Sequence, residues 1–238
     1  MVIFNEAKHT YTNPETNDIY ISVSQLLKRY KEVFDTNFHA NRVALREGKT
    51  KQEVIDGWQK ISKDACDKGI KIHNIFEDYI KTGKIEEQDQ ELVYEFESVF
   101  NFKDYKKVNS ELILYNHDHK LAGTSDIIAD VNKDSFDVLD FKTNKKFLFN
   151  NKYNKYLKSP LDHLQECQYN DYSLQLSLYA YLYSKMSGKK VRQISILYHD
   201  GNKFYRYPTP YLFWEVTILL KHYGQTIINA SKSNTVAV

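Results

Sequence analysis

The sequence predicts an α/β fold, with a β-hairpin and helices added at the N-terminal end. Three observations carry this. Apolar residues recur at helical spacing from about residue 54, switch to strand-like patterning over 109–143, and return to helical spacing at 171–186. At 238 residues, 42% hydrophobic and 27% charged, the chain has enough apolar material for a core. With 8 glycines and 4 prolines it is too poor in both for a collagen-like or low-complexity chain.

Each element has its own signal. Residues 2–4, 9–12 and 19–23 read as short strands around the turn-rich NPETND, which makes an N-terminal hairpin. Ser24 is placed to cap a helix through Tyr30, and a second helical stretch covers 36–47. Thr50 and Glu53 have capping-box spacing and open a helix with Val54, Trp58, Ile61 and Ala65 on one face. Gly69 marks a break or a close approach, after which helix resumes over 70–80, stops near Gly83 and returns at 89–100. Strands follow at 109–115, 121–131 and 136–143, separated by the turn signals NHDHK and NKDS. Ser159 and Pro160 read as the cap and first position of a short helix over 160–166. A longer helix spans 171–186 and ends at Gly188, strands occupy 191–199 and 203–207, and Thr209-Pro210 opens a last helix to about 230 with a frayed tail. The expected organisation is one domain over 1–238: hairpin and helices at 1–68, a core at 69–199, and a strand and helix at 200–238.

Several classes are excluded. No apolar run approaches the roughly 18 residues of a membrane-spanning helix, and MVIFNEAKHT lacks the features of a secretory signal. Neither a membrane partner nor export is expected, and the expected compartment is a reducing cytoplasm. Cys66 and Cys167 stand alone without a CxxC pair, so no disulfide framework, zinc ribbon or iron–sulfur cluster is expected. Gly48-Lys49-Thr50 resembles the end of a P-loop, but Val43 occupies the first glycine position, so no nucleotide cofactor is expected. His117-x-His119 falls in a hairpin turn and reads as turn chemistry. The net charge of +2 does not by itself imply a polyanionic partner, and the 19 tyrosines suit either a core or base stacking.

The chemistry concentrates around Asp140 and Lys142 in VLDFKTNKK. Two apart on a strand, they share a face. Alone they would read as a surface ion pair. Asp126, in LAGTSDII on the preceding strand, could pair beside Asp140, and two converging carboxylates suit a hard divalent cation. Lys142 would then orient or deprotonate water, or balance charge on a phosphate. His73 and Glu77 share a helix face before the strands, and Gln175 and Tyr179 share one after them.

In this order the residues resemble the PD-(D/E)XK nuclease superfamily, in its RecB-type exonuclease branch, which includes the mitochondrial genome maintenance exonuclease and the CRISPR adaptation nucleases. The matching positions are Gly69-xxx-His73, Glu111, Gly123-Thr-Ser-Asp126, Asp140-Phe-Lys142-Thr143 and Gln175-xxx-Tyr179, spanning about residues 69–199. His9-Thr-Tyr11 also resembles phage-encoded members. The resemblance implies a restriction-endonuclease-like αβββαβ core. It implies Mg²⁺ or Mn²⁺ held by His73, Asp126, Asp140 and the Phe141 backbone carbonyl. Lys142 would be catalytic, Glu111 would approach the first metal or a second, and Gln175 and Tyr179 would position the site or the DNA. Ser125 stands where the superfamily's name has proline, and Asp140 where glutamate is frequent. The iron–sulfur cysteines of many CRISPR adaptation nucleases are absent.

Residues 141–161 carry six lysines and no acidic residue, with Phe147, Phe149, Tyr153 and Tyr156 interleaved. Thr143, Lys145, Lys146, Lys152, Tyr153, Lys155 and Tyr156 are therefore candidates for DNA contact, lysines on phosphates and rings on unpaired bases. Arg42, Arg46, Lys49 and Lys51 form a second basic stretch. The expected function is a divalent-metal-dependent DNA exonuclease, phage-encoded or cellular, acting on linear DNA with free ends in replication, recombination or processing, with a recombination or replication protein as a partner. The rivals are a flap-type endonuclease on the same core, a non-catalytic nucleic-acid-binding protein, and a structural phage component.

Overall fold

A computed structural model describes residues 1–235 apart from Ala7 and His9, with side chains described to Thr226. His9 of the His9-Thr-Tyr11 pattern and the last three residues lie outside the described residues. The chain is a mixed α/β protein built on an eight-stranded sheet. The N-terminal strands β1 (Ile3–Asn5), β2 (Thr10–Asn13) and β3 (Asp18–Ser22) form an antiparallel meander. Ser22 caps the short helix α1 (Val23–Lys28) in a capping box with Gln25, two residues ahead of the expected Ser24, because the strand turns directly into the helix.

Helix α2 (Thr36–Glu47) ends at Gly48, whose φ of 65° is the left-handed geometry of a helix stop, not a phosphate loop. Helix α3 (Lys51–Thr82) opens on the Thr50–Glu53 capping box and ends at left-handed Gly83. It runs unbroken through Gly69. A methyl group there would meet Thr143 Oγ1 at 3.3 Å, so the glycine serves close approach and does not interrupt the helix. Residues 59–68 of α3 are exposed on every side. They bridge a small cluster of Ala40, Ala44 and Val54 at one end and the main body at the other. Helix α4 (Gln90–Glu97) follows.

Strands β4 (Lys107–Asn116), β5 (Leu121–Asp130) and β6 (Ser135–Lys142) form the antiparallel centre, as the period change predicts. Helix α5 (Gln168–Ser187) then crosses over to β7 (Lys190–His199), parallel to β6, and β8 (Phe204–Thr209) closes that edge. The last helix, α6 (Phe213–Thr235), starts three residues beyond Pro210 and extends past the expected stop near 230. Residues 160–166 form turns instead of the expected helix. Leu157 and Leu161 are buried in the main core and Tyr156 bridges to Gln165, so long-range contacts hold this segment. No helix among the described residues is long and apolar enough to cross a membrane.

The sheet separates two cores. Under α1, α5 and α6 lie Leu26, Ile128, Val138, Leu178, Ile196 and Leu219. Under α3 and α4 lie Phe76, Phe96, Ile127, Leu139, Phe141 and Leu197, with Phe76 and Phe141 stacked at 4.6 Å. Adjacent strand residues thus point into opposite cores.

The feature that positions the site is on β5. Its one edge pairs with β4 along its length. Its other edge is shared: β3 pairs in parallel at Leu121 and Ala122, and β6 antiparallel from Ile127 to Asp130. Between them, Gly123–Asp126 have no strand partner on that edge.

Candidate active site

The cross-strand register assembles the acidic residues. Ser110 opposite Ile127 and Leu112 opposite Ser125 bracket Glu111 against Asp126, and Ile127 opposite Leu139 puts Asp140 next to Asp126 on the other side. Glu111, Asp126 and Asp140 therefore form one row across β4, β5 and β6, although they are far apart in sequence. At this row the β5–β6 ladder opens. The Phe141 amide donates to Asp126 Oδ2 at 2.7 Å, so a side chain occupies the place of a ladder partner. Glu111 sits at φ 49°, left-handed backbone in the middle of a strand, an uncommon conformation for a residue with a side chain.

Helix α3 brings His73 to the same point, with Nδ1 3.4 Å from Asp126 Oδ2. Potential ligand atoms of His73, Glu111 and Asp126 all lie within 4.8 Å of one another. One imidazole and two carboxylates are compatible with a divalent metal. Asp140, only 2% exposed, is not part of this threesome, and its Oδ2 is paired with Lys142. Lys142 Nζ also lies 4.7 Å from the centre of the Tyr172 ring, a cation–π contact.

The charges are strongly coupled. Burial and the neighbouring Asp126 push the Glu111 carboxyl up to about 7. Burial, Asp126 and only partial relief from Lys142 push Asp140 up to about 6. Burial opposes charge on Asp126 as well, but His73, Lys142 and the Phe141 amide hold it below the usual carboxylate range. Burial works against a charged His73, yet Asp126 and Asp140 outweigh it and raise the imidazole to about 9. Burial likewise disfavours the Lys142 cation, and Asp140 and Asp126 reverse this, so its pKa is raised. His73 and Lys142 only partly offset the three crowded carboxyls, and full ionisation of Glu111, Asp126 and Asp140 beside a neutral His73 would leave an excess of negative charge that a divalent cation would offset.

The second motif helix backs this row. Gln175 Nε2 donates to Tyr179 Oη at 3.0 Å. Tyr179 is buried, which raises its pKa well above the ordinary phenol value, and Asp140 adds to the rise. Gly123 makes room for the Tyr179 ring, since a methyl group there would lie 2.7 Å from Tyr179 Cε1.

An open cleft of about 700 Å³ gives access, lined by His73, Glu77 and Glu111 with Phe141, Lys142 and Thr143, and by Asn144 and Tyr172. Thr143 is thus at the cleft. Beyond Asn144 the lysine-rich segment leaves it. Lys145, Lys146 and Lys152 are exposed, Lys152 lies over the Tyr153 ring at 4.9 Å, and Lys155 pairs with Glu32 at 2.9 Å. Tyr153 and Tyr156 are exposed, and Phe149 is half-exposed. Phe147 instead packs on the main core, stacked on Tyr207 at 5.1 Å, which removes it from the base-stacking candidates. In the turn, His117 Nδ1 bonds Tyr20 Oη at 2.5 Å, a structural contact.

Tyr172 and Asn144 carry no signal in the motif. Tyr172 Oη donates to Asn144 Oδ1 at 3.3 Å, and the Asn144 carbonyl accepts from Tyr198 Oη at 3.0 Å, so the pair fixes the chain just beyond Lys142. Tyr172 stands three residues before Gln175 and seven before Tyr179 on α5, a helical stripe that the sequence already contains.

The chain is thus an α/β protein with a partly buried histidine–carboxylate–lysine cluster at a broken strand ladder. No protein-family model and no curated protein matches its sequence. Among solved structures it is loosely similar to "SSO0001", at 15% identity and TM-score 0.37 over 88% of this chain and 76% of that one. It is also loosely similar to a "Putative exonuclease" of Eubacterium rectale, at 13% identity and TM-score 0.42 over 94% of this chain and 84% of that one. Likenesses this remote leave function to the site itself.

Proposed function

We propose that the chain is a divalent-metal-dependent deoxyribonuclease of the PD-(D/E)XK superfamily, RecB-type branch, that hydrolyses DNA from free ends. The observation that carries the reading is the meeting of His73, Glu111 and Asp126 with the Asp140–Lys142 pair at one opening in the sheet. A metal-binding surface of that donor set, open to a wide cleft and flanked by a lysine, suits an extended polyanion better than a small metabolite.

His73, Glu111 and Asp126 would hold Mg²⁺ or Mn²⁺, with Asp140 and the Phe141 carbonyl completing the set. The metal would activate water and offset charge on the phosphate. Lys142, kept protonated by Asp140 and Asp126, acts as a charge partner and orienter for the phosphate rather than as a base. Tyr172 and Asp140 hold its Nζ from two sides. Gln175 and Tyr179 support the strand that carries Asp126. Preference for free ends follows the resemblance of the Gln175–Tyr179 pair to the exonuclease branch. A single domain over 1–238, a cytoplasmic setting and a role in phage or cellular DNA replication or recombination belong to the same proposal.

The test incubates end-labelled linear single and double strands, beside closed circles, with Mg²⁺, Mn²⁺ or EDTA. Metal-dependent loss of label from linear DNA with circles spared is expected. Circles degraded as fast as linear strands would reject the end requirement, and no cleavage with either metal would reject the nuclease reading.

A further inference from the structure

A second concavity lies away from the carboxylate row. It is a groove of about 730 Å³ between α2 and the loop after β6, lined by Phe34, His39, Arg42, Val43, Arg46, Tyr153 and Lys155. It joins the two basic stretches that the sequence keeps about ninety residues apart. No carboxylate is among its described lining residues. Arg42 has no carboxylate partner among the described residues and sits over the Phe38 ring at 5.7 Å. Arg46 and Lys155 are paired only with exposed Glu47 and Glu32, contacts that cost little to exchange.

The rings are largely exposed, with Lys152 Nζ 4.9 Å from the centre of the Tyr153 ring. Phe34 is 61% exposed and Tyr153 71% exposed, although aromatic rings of this size ordinarily bury most of their surface. Phe34 lies flat on His39, centroids 4.5 Å apart and planes 7° from parallel, so its position is held before any ligand arrives. Flat faces flanked by cations match a chain that alternates planar groups and anions. A duplex would offer only its phosphates, because its base faces are already stacked. We infer that this groove binds an unpaired DNA segment, with bases against Phe34 and Tyr153 and phosphates on Arg42, Arg46 and Lys155. The identity of the polynucleotide rests on the nuclease reading above; the groove itself is separate from the metal ligands.

The test uses the full chain in EDTA, so that nothing is cleaved. Fluorescent oligo-dT, a blunt hairpin duplex and polyglutamate are titrated by anisotropy at rising salt. The expected result is single-strand binding at least about tenfold tighter than duplex binding. Tyr153→Ala and Phe34→Ala should each weaken oligo-dT binding about 5- to 30-fold with little change on the duplex, and Tyr153→Phe should keep wild-type binding. The double variant Arg42→Ala/Arg46→Ala should flatten the salt slope by about 1.4. The proposal is overturned by wild-type oligo-dT binding in Tyr153→Ala and Phe34→Ala, by equal losses on strand and duplex, or by polyglutamate binding as tightly as oligo-dT. If groove variants bind normally while wild type cleaves DNA with metal, the groove fails and the nuclease stands. Ring-dependent strand binding without metal-dependent cleavage gives the reverse.

Discussion

The carboxylate row and the lysine-rich loop adjoin in sequence, yet they are built on opposite principles. Asp126, Asp140 and Lys142 sit on central strands, with Asp126 and Asp140 buried, Asp126 accepting from the Phe141 amide and Asp140 paired with Lys142. Lys145, Lys146, Lys152 and Tyr153, a few residues on, are exposed and held by little beyond local turns. The row is preorganised at an electrostatic cost, visible in Glu111 at about 7 and Asp140 at about 6. These exposed residues add little to the core and offer charge and ring surface to a ligand. Chemistry is expected to fail steeply when the row is altered, and binding to fade gradually when the loop is.

The largest effect is expected from the row. Asp126→Asn or Lys142→Ala should reduce metal-dependent cleavage by about a thousandfold or more while circular dichroism stays native. Cleavage at wild-type level by either variant would break the contrast.

Acidification should act next. His73 and Glu111 must both lose protons to bind a metal, and both hold them tightly, at about 9 and about 7. Metal affinity should therefore fall about tenfold per pH unit below 9, and about a hundredfold per unit below 7 where both are protonated. Isothermal titration with Mn²⁺ across pH reads this slope, and a flat profile would exclude these ligands. Without metal the sign reverses for stability. The raised His73 favours the folded state below its unfolded value near 6.5, and this contribution is lost as pH rises through about 9.

Packing behind the row gives a smaller effect. Gly123→Ala should cost about 1–3 kcal/mol in urea unfolding, because its methyl group would meet the Tyr179 ring at 2.7 Å. The smallest effects are expected at the edge of the row. Tyr172→Leu should lower cleavage about 2- to 30-fold by removing the cation–π contact, with Tyr172→Phe close to wild type. Replacing Lys145, Lys146 and Lys152 together by Ala should flatten the salt dependence of DNA binding by up to about three, leaving Mn²⁺ affinity unchanged.

The motif residues were legible because strand alternation and helix periodicity fix which side chains share a face, and a hairpin brings Asp126 to Asp140. The Thr50–Glu53 capping box and the stops at Gly83 and Gly188 were equally local, whereas the first helix is capped at Ser22, in a box with Gln25, and not at Ser24. What sequence could not give was long-range. Gly69 reads as a helix break, but the missing methyl group is used against Thr143. Residues 160–166 carry helix-start chemistry, yet buried Leu157 and Leu161 and the Tyr156–Gln165 bridge override it. Glu111 was named through the resemblance alone, while the register and left-handed backbone that bring it to the row have no local signal. Tyr172 looks like ordinary helix surface until Lys142 is seen above its ring.

The central claim is that His73, Glu111 and Asp126 bind a divalent metal. The most direct measurement is Mn²⁺ titration of the full chain by calorimetry at pH 8, comparing wild type with Asp126→Asn and Glu111→Gln. Saturable Mn²⁺ binding by the wild type that is lost in Asp126→Asn and strongly weakened in Glu111→Gln is predicted. Wild-type Mn²⁺ affinity in both variants, or no binding by the wild type at millimolar metal, would contradict it.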